Sequence, residues 1–289
     1  YLLAAIPIVY VIIFNYIPMY GVLMAFKRFQ PRLGVWGSPW VGLYNFRRLF
    51  DSPNFFGILR NTLVLSFYGL VAGFPFPILM AICINHFMLK RFTKAVQTIT
   101  FAPHFLSAVI LVGFIGQILS LRIGAVNLLI RALGFQQINF MGIASLFPHI
   151  YVWSGIWQNT GYSAIIYISA LVAVDPSLHE AAVIDGATLW QRVWYIDLAT
   201  IRPIIIIMLI LSMGGILATN FEKAYLLQNP LNTETSEVIS TYVYKVGLAS
   251  TRPDYSFGTA IGLFQNVVGV ILTLTVNKAA NILTGEGMF

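Results

Sequence analysis

Residues 175–203 read Asp-Pro-Ser-Leu-His-Glu-Ala-Ala-Val-Ile-Asp-Gly-Ala-Thr-Leu-Trp-Gln-Arg-Val-Trp-Tyr-Ile-Asp-Leu-Ala-Thr-Ile-Arg-Pro. Apolar runs long enough to cross a bilayer flank this polar stretch on both sides. Asp175-Pro176 predicts a helix start, because an Asp side chain caps free amides and proline's fixed φ suits the first helical position. Gly186 supplies a left-handed stop. Thr188 and Gln191 have capping-box spacing and predict a second start at once. Trp190 and Trp194 then share one face. The stretch reads as two short helices with a glycine joint, held between two membrane spans and presenting an aromatic and acidic surface.

Working outward, the chain of 289 residues is 58% hydrophobic and 9% charged, against about 25% charged in soluble domains. It cannot keep a soluble surface, so the expected fold class is all-α, polytopic and membrane-embedded, as a single transmembrane domain over 1–289. A span needs about 20 apolar residues. Six are predicted: 2–26, 59–84, 97–119, 148–173, 204–221 and 258–281, with 174–203 as the loop between the fourth and fifth. An even number puts both ends on one side. Cys83 stands alone, which excludes disulfides and Cys-based metal sites within the chain and leaves a packing role. The chain opens at Tyr1 directly in apolar sequence, which reads as a trimmed amino terminus; this first stretch is too long and wrongly flanked to be only a signal peptide.

Three blocks of the opening stretch carry a family resemblance: Glu180-Ala181-Ala182, then Asp185-Gly186-Ala187, then Ile196, Leu198 and Pro203. Together they resemble the EAA loop of permease subunits of ABC importers. Leu198-Ala199 departs from the Leu-Pro usual there. The region Ala25-Phe26-Lys27, Gly34, Gly37-Ser38-Pro39-Trp40-Val41-Gly42 and Asn45-Phe46 is similar to the saccharide branch of LplB type, among which an alginate-type permease fits. So are Arg60-Asn61-Thr62, Thr241-Tyr242-Val243-Tyr244 and Gly262-Leu263-Phe264-Gln265.

The resemblance implies a type I permease fold in a bacterial inner membrane. It also implies a second homologous permease subunit, two ATPase subunits that bind ATP and Mg, and an extracytoplasmic substrate-binding protein. In that family the loop is cytoplasmic and docks as a coupling helix, so Glu180, Ala181, Ala182, Asp185, Gly186 and Ala187 are the expected coupling residues. Glu180 would fix the loop by charge-assisted bonding, and Gly186 would form its joint.

The residues themselves exclude other chemistry. His179-Glu180 lacks the second histidine of a zinc protease, since Val183 stands in its place. No Gly-rich Lys-Ser/Thr phosphate loop is present, so no cofactor is expected on this chain and ATP is hydrolysed elsewhere. Nothing in the pattern calls for nucleic acid. Sugar passage through a membrane needs flat aromatic faces and amide or hydroxyl groups, and polar groups inside a span tend to face a cavity. Trp153, Trp157, Gln158 and Asn159 on the fourth span, Asn220 on the fifth, and Gln265 and Asn266 on the sixth supply such a set. The competing reading makes the tryptophans an interfacial belt and the amides interhelical bonds. The alternative functions are an ABC permease for peptides or amino acids, which shares the EAA loop but not the Gly-Ser-Pro-Trp-Val-Gly segment, and an ion-coupled transporter, which would want midplane ionisable residues.

Orientation sets two arguments against each other. A cytoplasmic 174–203 loop leaves Lys90, Arg91, Lys94, Arg192, Arg202 and Lys278 inside and the other eleven of the 17 basic residues outside, against the usual inward bias. The loop outweighs the count, because a coupling surface must face the ATPase and a trimmed terminus hides orienting charges. With Asp51, Glu222, Glu234, Glu237 and Asp254 as its acids, the outer face is strongly positive. Such a face concentrates anions and weakens with salt, which points to an acidic saccharide or an acidic docking face on the binding protein. The competing reading is side chains that contact membrane lipid phosphates. Raising ionic strength should therefore lower substrate-stimulated ATPase activity of the reconstituted complex; unchanged activity would count against the attraction.

Overall fold

The computed structural model describes residues 2–86 and 90–284, and side chains within 4–86 and 91–282. Lys90, in the basic turn before the third predicted span, has its side chain outside the described residues. Helix α1, Leu2–Val11, continues as a π-helical turn, Ile12–Tyr16, and a 3-10 stretch, Ile17–Phe26. Then follow α2 (Tyr44–Phe50), α3 (Phe55–Gly73), α4 (Pro75–His86), α5 (Lys90–Phe101), α6 (Ala108–Ile118) and α7 (Ala125–Ala132). The second half holds α8 (Phe147–Val172), α9 (Pro176–Ile184), α10 (Leu189–Arg192), α11 (Leu198–Gly214), α12 (Phe221–Leu227), α13 (Ile239–Tyr244) and α14 (Tyr255–Thr284). Among the described residues extended pairing is limited to two isolated bridges, Lys27 with Trp40 and Gln30 with Gly34.

Among the described residues four continuous helices are long and apolar enough to cross a membrane: Ala4–Phe26, Phe55–His86, Leu189–Gly214 and Tyr255–Ile282. Two bent pairs raise the number to six if each is one span: Arg91–Phe105 with Ala108–Ile118, and Ala144–Val172 with Pro176–Ile184. The predicted 97–119 stretch is thus two helices meeting at 102°. Pro103 cannot donate to the helix ladder, and Ser107 starts α6 afresh by accepting from the Ile110 amide. The fifth membrane helix begins earlier than the apolar run alone suggests and stops at Gly214, so 215–220 form a turn and Asn220 caps α12 instead of lying in a span.

The chain forms two compact units. The first comprises Tyr1–Arg60 and Val238–Val268. Its core packs Leu49, Phe55 and Ile58 with Ile239, Phe257 and Ile261. Phe50, Phe55 and Phe264 meet edge to face, and Arg48 both pairs with Asp254 and lies 4.3 Å over the Phe257 ring. The second comprises Asn61–Glu237 and Gly269–Phe289. Here Ala81 of α4 meets Ala164, Tyr167 and Leu171 of α8 and Ile201 of α11. Small residues at such a crossing let helices approach closely where lipid gives no hydrophobic drive.

Gly161 marks the closest approach: a Cβ there would overlap the backbone carbonyl of Thr100 on α5. Backbone cannot yield as a flexible side chain can. Gly161→Leu should cost about 1–3 kcal/mol, the usual cost of overpacking, read as a lowered thermal midpoint of the detergent-solubilised protein; an unchanged midpoint would mean that α5 and α8 are not held at this distance.

Candidate functional site

The 174–203 loop is built from its caps. Asp175 accepts from the Ser177 amide at 2.9 Å and starts α9; that hydrogen bond holds its exposed carboxyl below the usual carboxylate range. α9 closes with Gly186 at φ +77°. The Ala187 amide donates to the Ala182 carbonyl and that of Gly186 to Val183, the pairing of a Schellman stop. A side chain at that φ costs about 1–2 kcal/mol, so the glycine is needed for conformation and not for space, since nothing lies within 4 Å of a Cβ there. Thr188 and Gln191 form the capping box, with the Thr188 amide donating to Gln191 Oε1 at 2.7 Å.

The loop's outer surface is apolar and uncovered: Ile184 is 85% exposed and Trp190 80%, with Val183, Trp194 and Tyr195 also exposed. Glu180, Ala181 and Asp185 are exposed, and Ala182 and Ala187 half-buried. The Glu180 carboxylate makes no hydrogen bond or ion pair among the described residues, so its expected role of fixing the loop within this chain is not visible. Another carboxylate does that. Asp197, fully buried, receives His86 Nε2 of α4 on Oδ2 at 2.6 Å and faces His179 Nε2 of α9 from Oδ1 at 3.4 Å. The two imidazole rings stand edge to face, 5.9 Å apart. Burying a carboxylate costs several kcal/mol unless donors offset it, and these two histidines are the donors at hand. Asp197 therefore ties the helix that opens the loop to the ends of two membrane helices. Sequence reading passed over it, because His86 and Asp197 lie 111 positions apart; His179 drew notice only as a failed zinc motif.

The second cluster lies toward the other end of α8. Two cavities, of about 370 and 300 Å³, share Gly69, Gly73, Pro77, Tyr151, Ser163 and Asn220 in their walls. Gln158 and Asn159 line the smaller one and Asn220 lines both. Gln158 donates from Nε2 to the Leu106 carbonyl at 2.9 Å, which satisfies the break between α5 and α6. Asn159 donates to the Gly155 carbonyl and pairs its Oδ1 with His104 Nδ1, whose ring stacks on Tyr162.

Trp153 and Trp157 are half-exposed and outside both linings. Trp153 donates to the Tyr68 hydroxyl, which is also hydrogen-bonded to His149 Nδ1 at 2.9 Å, and Trp157 stacks on Phe114. Gln265 and Asn266 belong to the first unit, half-buried and exposed respectively. Tyr151 and Lys223 are among the lining residues that escaped the sequence reading. Tyr151 accepts the Asn220 amide on its hydroxyl at 3.0 Å, and Lys223 donates from Nζ to the Tyr151 carbonyl at 2.7 Å.

Residues 54–285 match the family described as binding-protein-dependent transport system inner membrane component. The polygalacturonan/rhamnogalacturonan transport system permease protein YteP of Bacillus subtilis is 42% identical, over 97% of this chain and 87% of its own. Protein LplB of the same organism is 40% identical over 100% and 90%. Among solved structures, a bacterial ABC transporter involved in the import of the acidic polysaccharide alginate superposes with TM-score 0.89 at 40% identity, over 98% of this chain and 96% of that one. A bacterial alginate ABC transporter in complex with an alginate pentasaccharide-bound periplasmic protein gives 0.90 at 38%, over 99% and 96%.

Asp197→Ala removes the carboxylate that accepts from His86 and stands 3.4 Å from His179. Hydrogen bonds to charged groups contribute about 1.5–3 kcal/mol, so amide exchange across 176–192 should quicken by roughly tenfold or more in hydrogen–deuterium exchange of the assembled protein. Unchanged exchange there would show that the caps alone hold the loop.

Proposed function

Because this chain belongs to the inner-membrane components of binding-protein-dependent transport systems, we propose that it supplies one half of the translocation pathway of an ATP-driven importer for oligo- or polysaccharides. It is a multi-pass inner-membrane permease subunit and not an enzyme. Its partners in this reading are a second, homologous permease chain, two ATPase subunits and an extracytoplasmic binding protein that delivers the saccharide. ATP and Mg sit on the ATPase subunits. Likeness over nearly the whole chain to a polygalacturonan/rhamnogalacturonan permease and to a transporter involved in alginate import carries the reading.

The geometry supports a division of labour. On the cytoplasmic side, the apolar face of Ile184, Trp190 and Trp194 is of the kind that marks a protein-interaction surface, and it offers anchors for a cleft on the ATPase subunit. Glu180, exposed and without a bonding partner among the described residues, is placed to bond across that interface. Closure of the ATPase pair would push on α9, and the Asp197 bridge would pass the push to α4 and α11. The membrane helices would then switch between two packings, opening the cavities beside Tyr151 to one side and then the other. Amide and hydroxyl groups there, from Asn159, Ser163 and Asn220, suit the hydroxyls of a sugar.

Trp190→Ala and Glu180→Ala in the assembled complex test the docking role. Truncating a central aromatic anchor costs about 2 kcal/mol or more, roughly a thirtyfold loss, so substrate-stimulated transport in proteoliposomes should fall sharply for Trp190→Ala. Glu180→Ala should lower transport while the complex still assembles. Normal transport by both variants would remove the loop from the coupling step.

A further inference from the structure

We propose that Lys223 is a carboxylate-binding group of the translocation cavity, and that it makes the pathway selective for uronate-type acidic saccharides. The inference rests on the saccharide-importer reading and narrows its substrate class.

Lys223 lies on α12, which its neighbour Asn220 caps by accepting the Lys223 amide at 3.0 Å. The side chain is 4% exposed and lines the cavity of about 300 Å³ beside Tyr151, Asn159 and Asn220. An ammonium has three donors. One goes to the Tyr151 carbonyl, and the Tyr151 ring centroid lies 4.8 Å from Nζ and offers its electron-rich face. No carboxylate stands within ion-pair distance among the described residues. Burial pushes the ammonium down to about 7, as expected of a desolvated cation lacking a counter-charge.

Uncompensated buried charge is costly, and a structural need for it is hard to find here. The bond to the Tyr151 carbonyl could come from a neutral amide. Space around the ammonium is kept open as well: a Cβ at position 155 would stand 3.0 Å from Nζ, and that position is Gly155. A cation held in a polar cavity with donors to spare is the complement of an anion that arrives with the solute. A uronate ring brings one carboxylate per sugar together with hydroxyls. Asn220 and Asn159 stand in the same wall to meet the hydroxyls, and charge-assisted bonds of this kind are about twice as strong as neutral ones. A neutral sugar would bring hydroxyls but no counter-charge to Lys223.

The test uses the complete complex with its binding protein in proteoliposomes. Import of a uronate oligosaccharide is compared with import of its carboxyl-reduced, neutral counterpart of equal length. Because both variants share one binding protein, the readout is the acidic-to-neutral import ratio relative to that of the unaltered complex. Lys223→Gln, which can still donate to the Tyr151 carbonyl, and Lys223→Met should each lower the ratio by roughly tenfold or more, the scale of one lost charge-assisted contact; Lys223→Arg should keep most of it. A ratio unchanged in Lys223→Gln, or import of both sugars reduced in equal proportion, would overturn the proposal in favour of a packing role. Import of neither sugar by the unaltered complex would overturn the saccharide reading itself and the inference with it.

Discussion

In a bilayer every backbone amide and carbonyl must find its partner inside the protein, and the fold follows from how this chain meets that demand. Continuous helices meet it by themselves. At several breaks a side chain takes over: Gln158 on the Leu106 carbonyl, Ser107 on the Ile110 amide, Asn220 on the Lys223 amide. Several polar residues that look like solute contacts are thus first of all backbone partners. Gln158 is the plainest case, with its amide group committed to the α5–α6 bend.

The same economy of polar groups explains the coupling loop. Its caps are all local, and its outward surface is apolar and exposed at Ile184, Trp190 and Trp194. What fixes the loop to the membrane helices is a single buried carboxylate between two imidazoles. Such a joint links α9 to the end of α4 and to the start of the Leu189–Gly214 helix. Coupling between distant sites needs an element with two discrete arrangements, and a loop bonded to two helices is a suitable lever for one.

Lys223 and Asp197 invite comparison as buried ions of opposite sign. Asp197 accepts from His86 and faces His179, both within the chain, and serves structure. Lys223 has a carbonyl and a ring but, among the described residues, no carboxylate, and it lines a cavity. One charge is compensated and the other stands ready for a ligand, a difference set by position and not by residue type.

The sequence by itself determined the all-helical membrane class, the capped two-helix loop and its glycine joint, because those depend on run length, composition and capping residues a few positions apart. Asp175, Gly186, Thr188 and Gln191 stand as their spacing predicts. The EAA-like blocks made the family legible for the same reason. Only the tertiary structure decided which polar residues share a cavity, why the 97–119 run is bent, and that Asp197 and Lys223 are buried. Trp153 and Trp157 seemed pathway residues by type, yet their rings are engaged with Tyr68 and Phe114 outside the cavity walls. These outcomes rest on pairs such as His86 with Asp197 and Tyr151 with Lys223, 111 and 72 positions apart. Local periodicity carries no information about such pairs; they exist only once helices have packed and bilayer and protein have divided the polar groups between them.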